Sequence, residues 1–347
     1  MPKGGAHFTS QELAQVLSHY DIGIIQQISS LAAGNLRAPK KIIVSDQGKY
    51  LLKRRASGKD DRYRVAFAHD VHKWLSKKGF PVSVIMQTRD EKNTILELNK
   101  HIYELFEFVF GSRYDGSVES VMDAGRKLGQ FHKNLSDFAY RPGSLRGSFH
   151  DSSSVRGHLK AICSETCPNN SDKSLRSITK KMMTLYNKAT VNVNQLCFDS
   201  WDEQIVHGDW HPGNMLFSDR KVVAVLDFDS LKIARSVTDL ANGMLQFSIV
   251  GGRPNPADWP EYLDQAKLVR FLAGYCEVIK LEQDQLNCLF DLMIETMIAE
   301  AVLPIAATGF FGNLSGADFL KMIQRKCEWI DGHREILAEA IYHSLEQ

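Results

Sequence analysis

The stretch from Ile205 to Asp229, IVHGDWHPGNMLFSDRKVVAVLDFD, gathers carboxylates, an asparagine and two histidines into loops between short apolar runs. Gln204-Ile205-Val206 reads as a short apolar approach. Met215 to Phe217, the turn Ser218-Asp219-Arg220 and Lys221 to Leu226 read as a β-hairpin. The polar loop from His207 to Asn214 is thus held by the hairpin, and Asp227 sits where the second strand ends. Carboxylates at Asp209 and Asp227 and the amide of Asn214 can converge on one point. That trio suits a hard cation with oxygen ligands, Mg²⁺ in particular, which commonly takes one or two carboxylates and fills its shell with phosphates. With the metal on Asn214 and Asp227, Asp209 is left to accept a proton from an attacking hydroxyl, the division of labour that phosphoryl transfer requires.

Such groups need a scaffold, and the pattern upstream predicts a small antiparallel sheet with one main helix. Thr9 and Glu12 stand in capping-box spacing before a short helix over 9–20. β-Branched and apolar residues at 22–31, 41–45 and 49–55 read as strands, with a small-residue loop at Ala32 to Asn35 and a turn at Asp46-Gln47-Gly48. Lys53 lies in the last of these strands; an inward lysine supplies a point charge for phosphate, while Lys40-Lys41 and Arg54-Arg55 read as solvated faces. A 3.6-residue apolar period over Asp60 to Lys78 predicts a helix, followed by strands at 82–87, 94–98 and 102–110. From Gly111 the long periodic segments are helical: 118–135, where Gly125 and Gly129 allow close helix approach, then 155–165, 173–189, 239–249, 262–281, 283–301 and 317–345. The fold class expected is α+β.

Composition narrows the function classes. Forty-two Lys and Arg against 41 Asp and Glu argue against a polybasic surface for nucleic acid or anionic lipid. The start MPKGGAHFTSQE has no apolar leader core, and no apolar run approaches the roughly 18 residues of a membrane span. A soluble, cytoplasmic protein is expected. The six scattered cysteines lack the paired spacing of a zinc site and are expected as reduced thiols.

His207-Gly208-Asp209-Trp210-His211-Pro212-Gly213-Asn214, followed by Leu226-Asp227-Phe228-Asp229, resembles the catalytic and metal-binding loops of the aminoglycoside phosphotransferase / choline kinase / homoserine kinase-like family, which has a protein-kinase-like fold. Ser236 to Ala241 resembles that family's segment after the metal aspartate, and Leu128-Gly129-Gln130-Phe131-His132 its early helix in the large lobe. Tyr50-Leu51-Leu52-Lys53 resembles the nucleotide-lysine strand, Gly34-Asn35 falls where the phosphate-covering loop would be, and Phe106 to Val109 resembles the hinge. The likeness spans roughly residues 24 to 245.

The resemblance implies two lobes: a nucleotide lobe over 1–103, a hinge at 104–110 and a helical lobe over 111–347 that carries the loops of 205–229 and the acceptor helices. It implies ATP and Mg²⁺ as cofactors and a small hydroxylated acceptor, an amino alcohol, an amino acid such as homoserine, or an aminoglycoside-like molecule. By it Asp209 is the catalytic base, braced by His207 and held from behind by Asp239. Asn214 and Asp227 are metal ligands, Lys53 meets the ATP phosphates with Gly34 and Asn35, and the backbone at Glu107 and Val109 meets adenine.

Several points stay open in the sequence. Kinase-like folds pair the nucleotide lysine with a glutamate on the first helix, and Asp60 to Lys78 contains none; Asp61, Asp70 and His69 are the candidates for its place. Asp229 joins the metal shell, orients Asp227, or is a solvated turn carboxylate. Trp210 lines an acceptor pocket or simply packs. His211 and His132 read as a loop brace and a core histidine; Glu295 and Glu300 on a late helix attract a cationic acceptor or are solvated charges, the commoner case for a helix face. The short run between Asp227 and Asp239 favours a small acceptor over a protein Ser/Thr, and a non-catalytic kinase-like binding protein is the remaining alternative.

Overall fold

The computed structural model describes residues 7–31, 38–139, 145–163 and 173–345; Gly34 and Asn35 of the expected phosphate loop lie outside the described residues. The chain divides into two compact units, Met1–Arg113 with Asp137–Ala139 and Met215–Leu231, and Tyr114–Ser136 with Tyr140–Asn214 and Lys232–Gln347.

In the first unit, helix α1 (Ser10–Leu17) starts at the Thr9/Glu12 capping box, both of whose reciprocal hydrogen bonds form. Strands β1 (Ile25–Ser30), β2 (Lys40–Ser45), β3 (Lys49–Arg54), β4 (Leu96–Leu98) and β5 (His101–Glu107) make one antiparallel sheet in the order β1-β2-β3-β5-β4. Ile43, Tyr50, Leu52, Tyr103 and Leu105 pack with Val16, Leu17 and Tyr20 of the α1 region on one side of it. Helix α2 (Arg62–Lys77) lies between β3 and β4 in sequence and buries Val65, Val71 and Leu75. The strand expected at 82–87 is reduced to a single bridge, Ile85 to Phe106. β4 already occupies that edge of β5 from His101 to Tyr103, so only its far end is left to pair.

Four short strands lie in sequence to either side of the polar loops of 207–214 and 226–231: β6 (Glu203–Val206), β7 (Met215–Ser218), β8 (Lys221–Val225) and β9 (Lys232–Arg235). β7 pairs with β8 and β6 with β9, both antiparallel. Asp219 and Arg220 both take positive φ at the β7–β8 turn, the backbone that a tight hairpin's twist requires. The stretch 205–229 therefore divides at Asn214/Met215, its first part in the second unit and its hairpin in the first.

The second unit is helical: α3 (Val118–Leu135), α4 (Ser153–Cys163), α5 (Lys173–Gln195), α6 (Ser236–Ser248), α7 (Gln265–Cys276), α8 (Gln283–Asn287), α9 (Leu289–Thr308), α10 (Gly316–Gly332) and α11 (Arg334–Leu345). The helices expected over 283–301 and 317–345 are each broken in two, at Cys288 and His333. α3 and α7 touch backbone to backbone: a Cβ on Gly125 would stand 1.9 Å from the Phe271 carbonyl oxygen, and one on Gly274 2.0 Å from that of Met122. α9 is buried along nearly all its length, and a helix apolar on every side has no other place to go. No described helix is long and apolar enough to cross a membrane.

Candidate active site

The register of the sheet builds the lysine site in the first unit. β3 sets Lys53 directly opposite Glu104 on β5, so the two side chains share a face. Glu104 is 1% exposed, and three cations or donors converge on it. Arg55 grips both carboxylate oxygens, at 2.9 and 3.0 Å, His69 lies 2.7 Å away, and Lys53 3.9 Å away. His69 in turn meets the Thr94 hydroxyl at 2.9 Å through its other ring nitrogen. Burial alone would raise the carboxyl of Glu104; the His69 hydrogen bond and the charges of Lys53 and Arg55 outweigh it and hold the group well below the usual carboxylate range.

This corrects two expectations. The acid facing Lys53 comes from a strand, not from the first helix; Asp61 instead caps that helix by accepting from the Arg64 N–H, while His69 acts as the helix's contact with the acid. Arg55 is not solvated. It is 7% exposed and also holds Asp229 at 2.8 Å, with Lys53 3.7 Å from the same carboxylate. Asp229 is accordingly a buried ion-pair partner rather than a solvated turn residue. A lone glutamate inside the aromatic run Ile102-Tyr103-Glu104-Leu105-Phe106 was the sequence signal for this site.

Two backbone features accompany it. Asp227, just before Asp229, stands at φ 60°, ψ 73°, a left-handed conformation that non-glycine residues hold only where the surroundings impose it. Phe228 packs on His72, ring centroids 5.0 Å apart. At the end of β5, the Glu107 N–H is taken by the Val84 carbonyl, whereas the Val109 N–H donates to nothing among the described residues.

In the second unit the loop after β6 is suspended from Asp239 on α6. Its carboxylate accepts the backbone N–H groups of His207 and Gly208 at 2.8 and 2.9 Å and meets His132 at 3.2 Å. Burial pushes that carboxyl up, and the His132 hydrogen bond and neighbouring histidines reverse the effect, leaving it below its ordinary value. His207 is fully buried among Phe131 and Trp210. Trp210 is itself fully buried.

Asn214 donates from Nδ2 to both the carbonyl and the Oδ2 of Asp209, each at 3.0 Å. Its Oδ1 makes no hydrogen bond among the described residues. His211 accepts the Gly213 N–H at 3.0 Å and stands 3.6 Å from Asp209, the loop-bracing position expected for it. Against the upward push of burial, His211, His207 and Asn214 hold Asp209 below the usual carboxylate value, so it is a carboxylate at neutral pH. Among the described residues no group of three or more His, Cys, Asp or Glu could hold a metal unaided. An amide oxygen and a carboxylate as the protein's share fit instead a hard cation whose other ligands are phosphates and water.

Two carboxylates of α9 are not the solvated charges expected of a helix face. Glu295 is buried on the Thr190 hydroxyl at 2.6 Å and on His150 at 2.8 Å. Glu300 receives the amides of Asn242 and Gln246, each at 2.7 Å. Burial pushes it up to about 7, and the charge of Asp209 adds to the rise against the Asn242 hydrogen bond.

The family model described as the phosphotransferase enzyme family matches residues 28–280. Solved structures share the fold at low identity. An amicoumacin kinase in complex with AMP-PNP, Ca²⁺ and Ami is 14% identical with a TM-score of 0.66, covering 94% of each chain. A microcompartment-associated aminopropanol kinase is 13% identical with a TM-score of 0.67, covering 95% of this chain and 99% of its own. An aminoglycoside phosphotransferase from Alicyclobacillus acidocaldarius is 15% identical with a TM-score of 0.66, covering 99% and 98%. Among curated proteins no sequence match is found.

Proposed function

The chain belongs to the phosphotransferase enzyme family, a family of small-molecule kinases with a protein-kinase-like fold, and on that premise we propose that it moves the γ-phosphate of ATP to a hydroxyl of a small molecule with Mg²⁺. The observation that carries the reading is the pairing of Asp209 with Asn214. One amide group fixes the carboxylate and keeps its own oxygen free for a cation.

Asp209 is the base. Held ionised, it orients the acceptor hydroxyl and takes its proton as the O–P bond forms; in a loose transition state, orientation is the larger part of that work. Asp239 and His207 keep the loop rigid, so that Asp209 is presented without reorganisation. Asn214 Oδ1 and Asp227 are the metal ligands, and bound Mg²⁺ would neutralise phosphate charge. Lys53 supplies a further cation for the phosphates. The Glu107 carbonyl and the free Val109 N–H suit the donor and acceptor edge of adenine, and Gly34 and Asn35 are assigned to the phosphate-covering loop. From Asp227 the chain passes through one 3-10 turn, β9 and directly into α6, leaving no long segment to seat a peptide; this favours a small acceptor over a protein.

The test is transfer of labelled phosphate from ATP to a panel of hydroxylated metabolites. Asp209→Ala should lower kcat by roughly 10²- to 10⁴-fold while Mg²⁺·ATP still raises Tm. Nucleotide stabilisation with no acceptor labelled, small or protein, would sink the enzyme reading in favour of a binding protein.

A further inference from the structure

The sheet of the first unit has two unlike faces. On the side packed with the α1 region, Ile43, Tyr50, Leu52 and Leu105 are buried. On the other side the register sets Ile42, Leu51 and Phe106 in one row across β2, β3 and β5, with Lys40, Lys53 and Glu104 in the row beside it. Ile42, Leu51 and Phe106 are each only half-buried. An apolar strip that ends in cations fits a nucleotide, the base over the strip and the phosphates over the charges.

Strand alternation separates Lys40 from Lys41, which the sequence pattern had grouped as one solvated face. Lys41 lies on the α1 side, and its Nζ donates to the Ser30 hydroxyl at 2.9 Å. Lys40 is half-buried on the side of Glu104, directly opposite Lys53. Like charges in that position repel. Burial, and after it the charge of Lys53, lowers the pKa of Lys40, against the pull of Asp227 and Asp229. Those two carboxylates have other claims on them. Asp229 is shared by Arg55 at 2.8 Å, Lys53 at 3.7 Å and Lys59 at 3.9 Å, and Asp227 is assigned to the metal. Lys40, Lys53, Arg55 and Lys59 therefore stand about Glu104, Asp227 and Asp229 with positive charge in excess, to which a divalent cation would add. A surface with surplus charge of one sign draws in the opposite ion, and the phosphate chain of ATP is the multivalent anion that the reaction brings. Resting on the phosphotransferase reading above, we propose that Lys40 is a second phosphate-binding lysine, which together with Lys53 grips the phosphate chain of the nucleotide.

Calorimetric titration of the full chain with Mg²⁺·ATP, together with the Tm of the free protein, measures this for the wild type, Lys40→Met, Lys40→Arg and, as the control on the opposite face, Lys41→Met. Lys40→Met should weaken Mg²⁺·ATP by roughly 10- to 100-fold, the worth of one charge-assisted hydrogen bond. Lys40→Arg should recover part of that loss, and Lys41→Met should bind as the wild type does. The gap between the wild type and Lys40→Met should narrow as salt is raised, since screening weakens the charge that is lost. The free Lys40→Met protein should keep its Tm or gain a little, because methionine retains most of the apolar stem and the repulsion from Lys53 is gone. Equal affinity in Lys40→Met and the wild type, a loss that Lys40→Arg shares in full, or an equal loss in Lys41→Met would overturn the proposal and leave the kinase reading intact. No binding of Mg²⁺·ATP by the wild type would sink both. The expected ranking of variants without phosphate transfer to any acceptor would uphold the lysine pair and sink the kinase reading.

Discussion

Glu104, fully buried, and Glu300, half-buried, are the same residue, and the protein treats them in opposite ways. Glu104 in the sheet is surrounded by Arg55, His69 and Lys53, and its carboxyl lies far below the ordinary range despite burial. Glu300 on α9 is hydrogen-bonded only by two neutral amides among the described residues, and burial lifts it to about 7. In the first case the chain supplies the countercharges and the group acts as a fixed anchor. In the second the cations Lys232 and His211 act only from a distance, and burial outweighs them.

The largest effect that could break this contrast is on stability. Glu104→Gln leaves the buried Arg55 and the half-buried Lys53 with Asp229 as their remaining acid, and losing one member of a buried ion cluster costs ~3–5 kcal/mol. Urea unfolding at pH 7 measures it. A loss below ~1 kcal/mol would mean that Glu104 anchors nothing. The pH dependence has a definite sign. A carboxylate depressed in the fold contributes stability above its unfolded pKa of ~4.3, and that contribution disappears as pH falls toward the folded value.

Glu300→Gln should act in the opposite direction. The unfolded glutamate loses its proton near pH ~4.3, whereas in the fold it keeps it until about 7. Between those values the unfolded chain binds fewer protons, so stability falls as pH rises. Removing the group should therefore stabilise the protein by ~1–3 kcal/mol at pH 8 and change little at pH 4. Unfolding curves at the two pH values decide it, and a destabilised variant at pH 8 would place Glu300 in the same class as Glu104.

How much of this the sequence made legible follows from the same pair. Asp209, Asn214 and His211 lie within one loop, so local spacing was enough to group them, whereas Asp239, thirty residues on, was set behind the loop by the resemblance. Glu104 meets Lys53 through the pairing of β3 with β5, half a hundred residues apart, and no local pattern states that register. Its only mark was a charge inside an aromatic strand. Glu300 departs from the solvated expectation for a different reason. Charged residues on a helix usually face water, but Leu289–Thr308 is apolar all round, and any carboxylate on such a helix has to find partners inside the protein. The strand expected at 82–87 failed on competition for an edge, a property of the sheet rather than of the segment.

The finest test lies within the Glu104 cluster. Arg55 is bonded to Glu104 and Asp229 at 2.8 to 3.0 Å, while Lys53 stands 3.9 and 3.7 Å from the same two carboxylates. The guanidinium, planar and fork-shaped, is suited to bridging two acids, and the ammonium to being a loosely held point charge. The cluster thus separates holding from binding. Arg55 satisfies the acids, and Lys53 is positioned by them without being saturated, which leaves its charge for a phosphate. Lys53→Met should change unfolding stability by less than ~1 kcal/mol yet remove the stabilisation by Mg²⁺·ATP, which for a site at 100 times its Kd is ~2.7 kcal/mol. Arg55→Met should do the reverse in order, unfolding the unit before nucleotide can report on it. If Lys53→Met proves as destabilising as Arg55→Met, the two cations share one structural task, and the sheet holds an ion cluster with no charge to spare for a ligand.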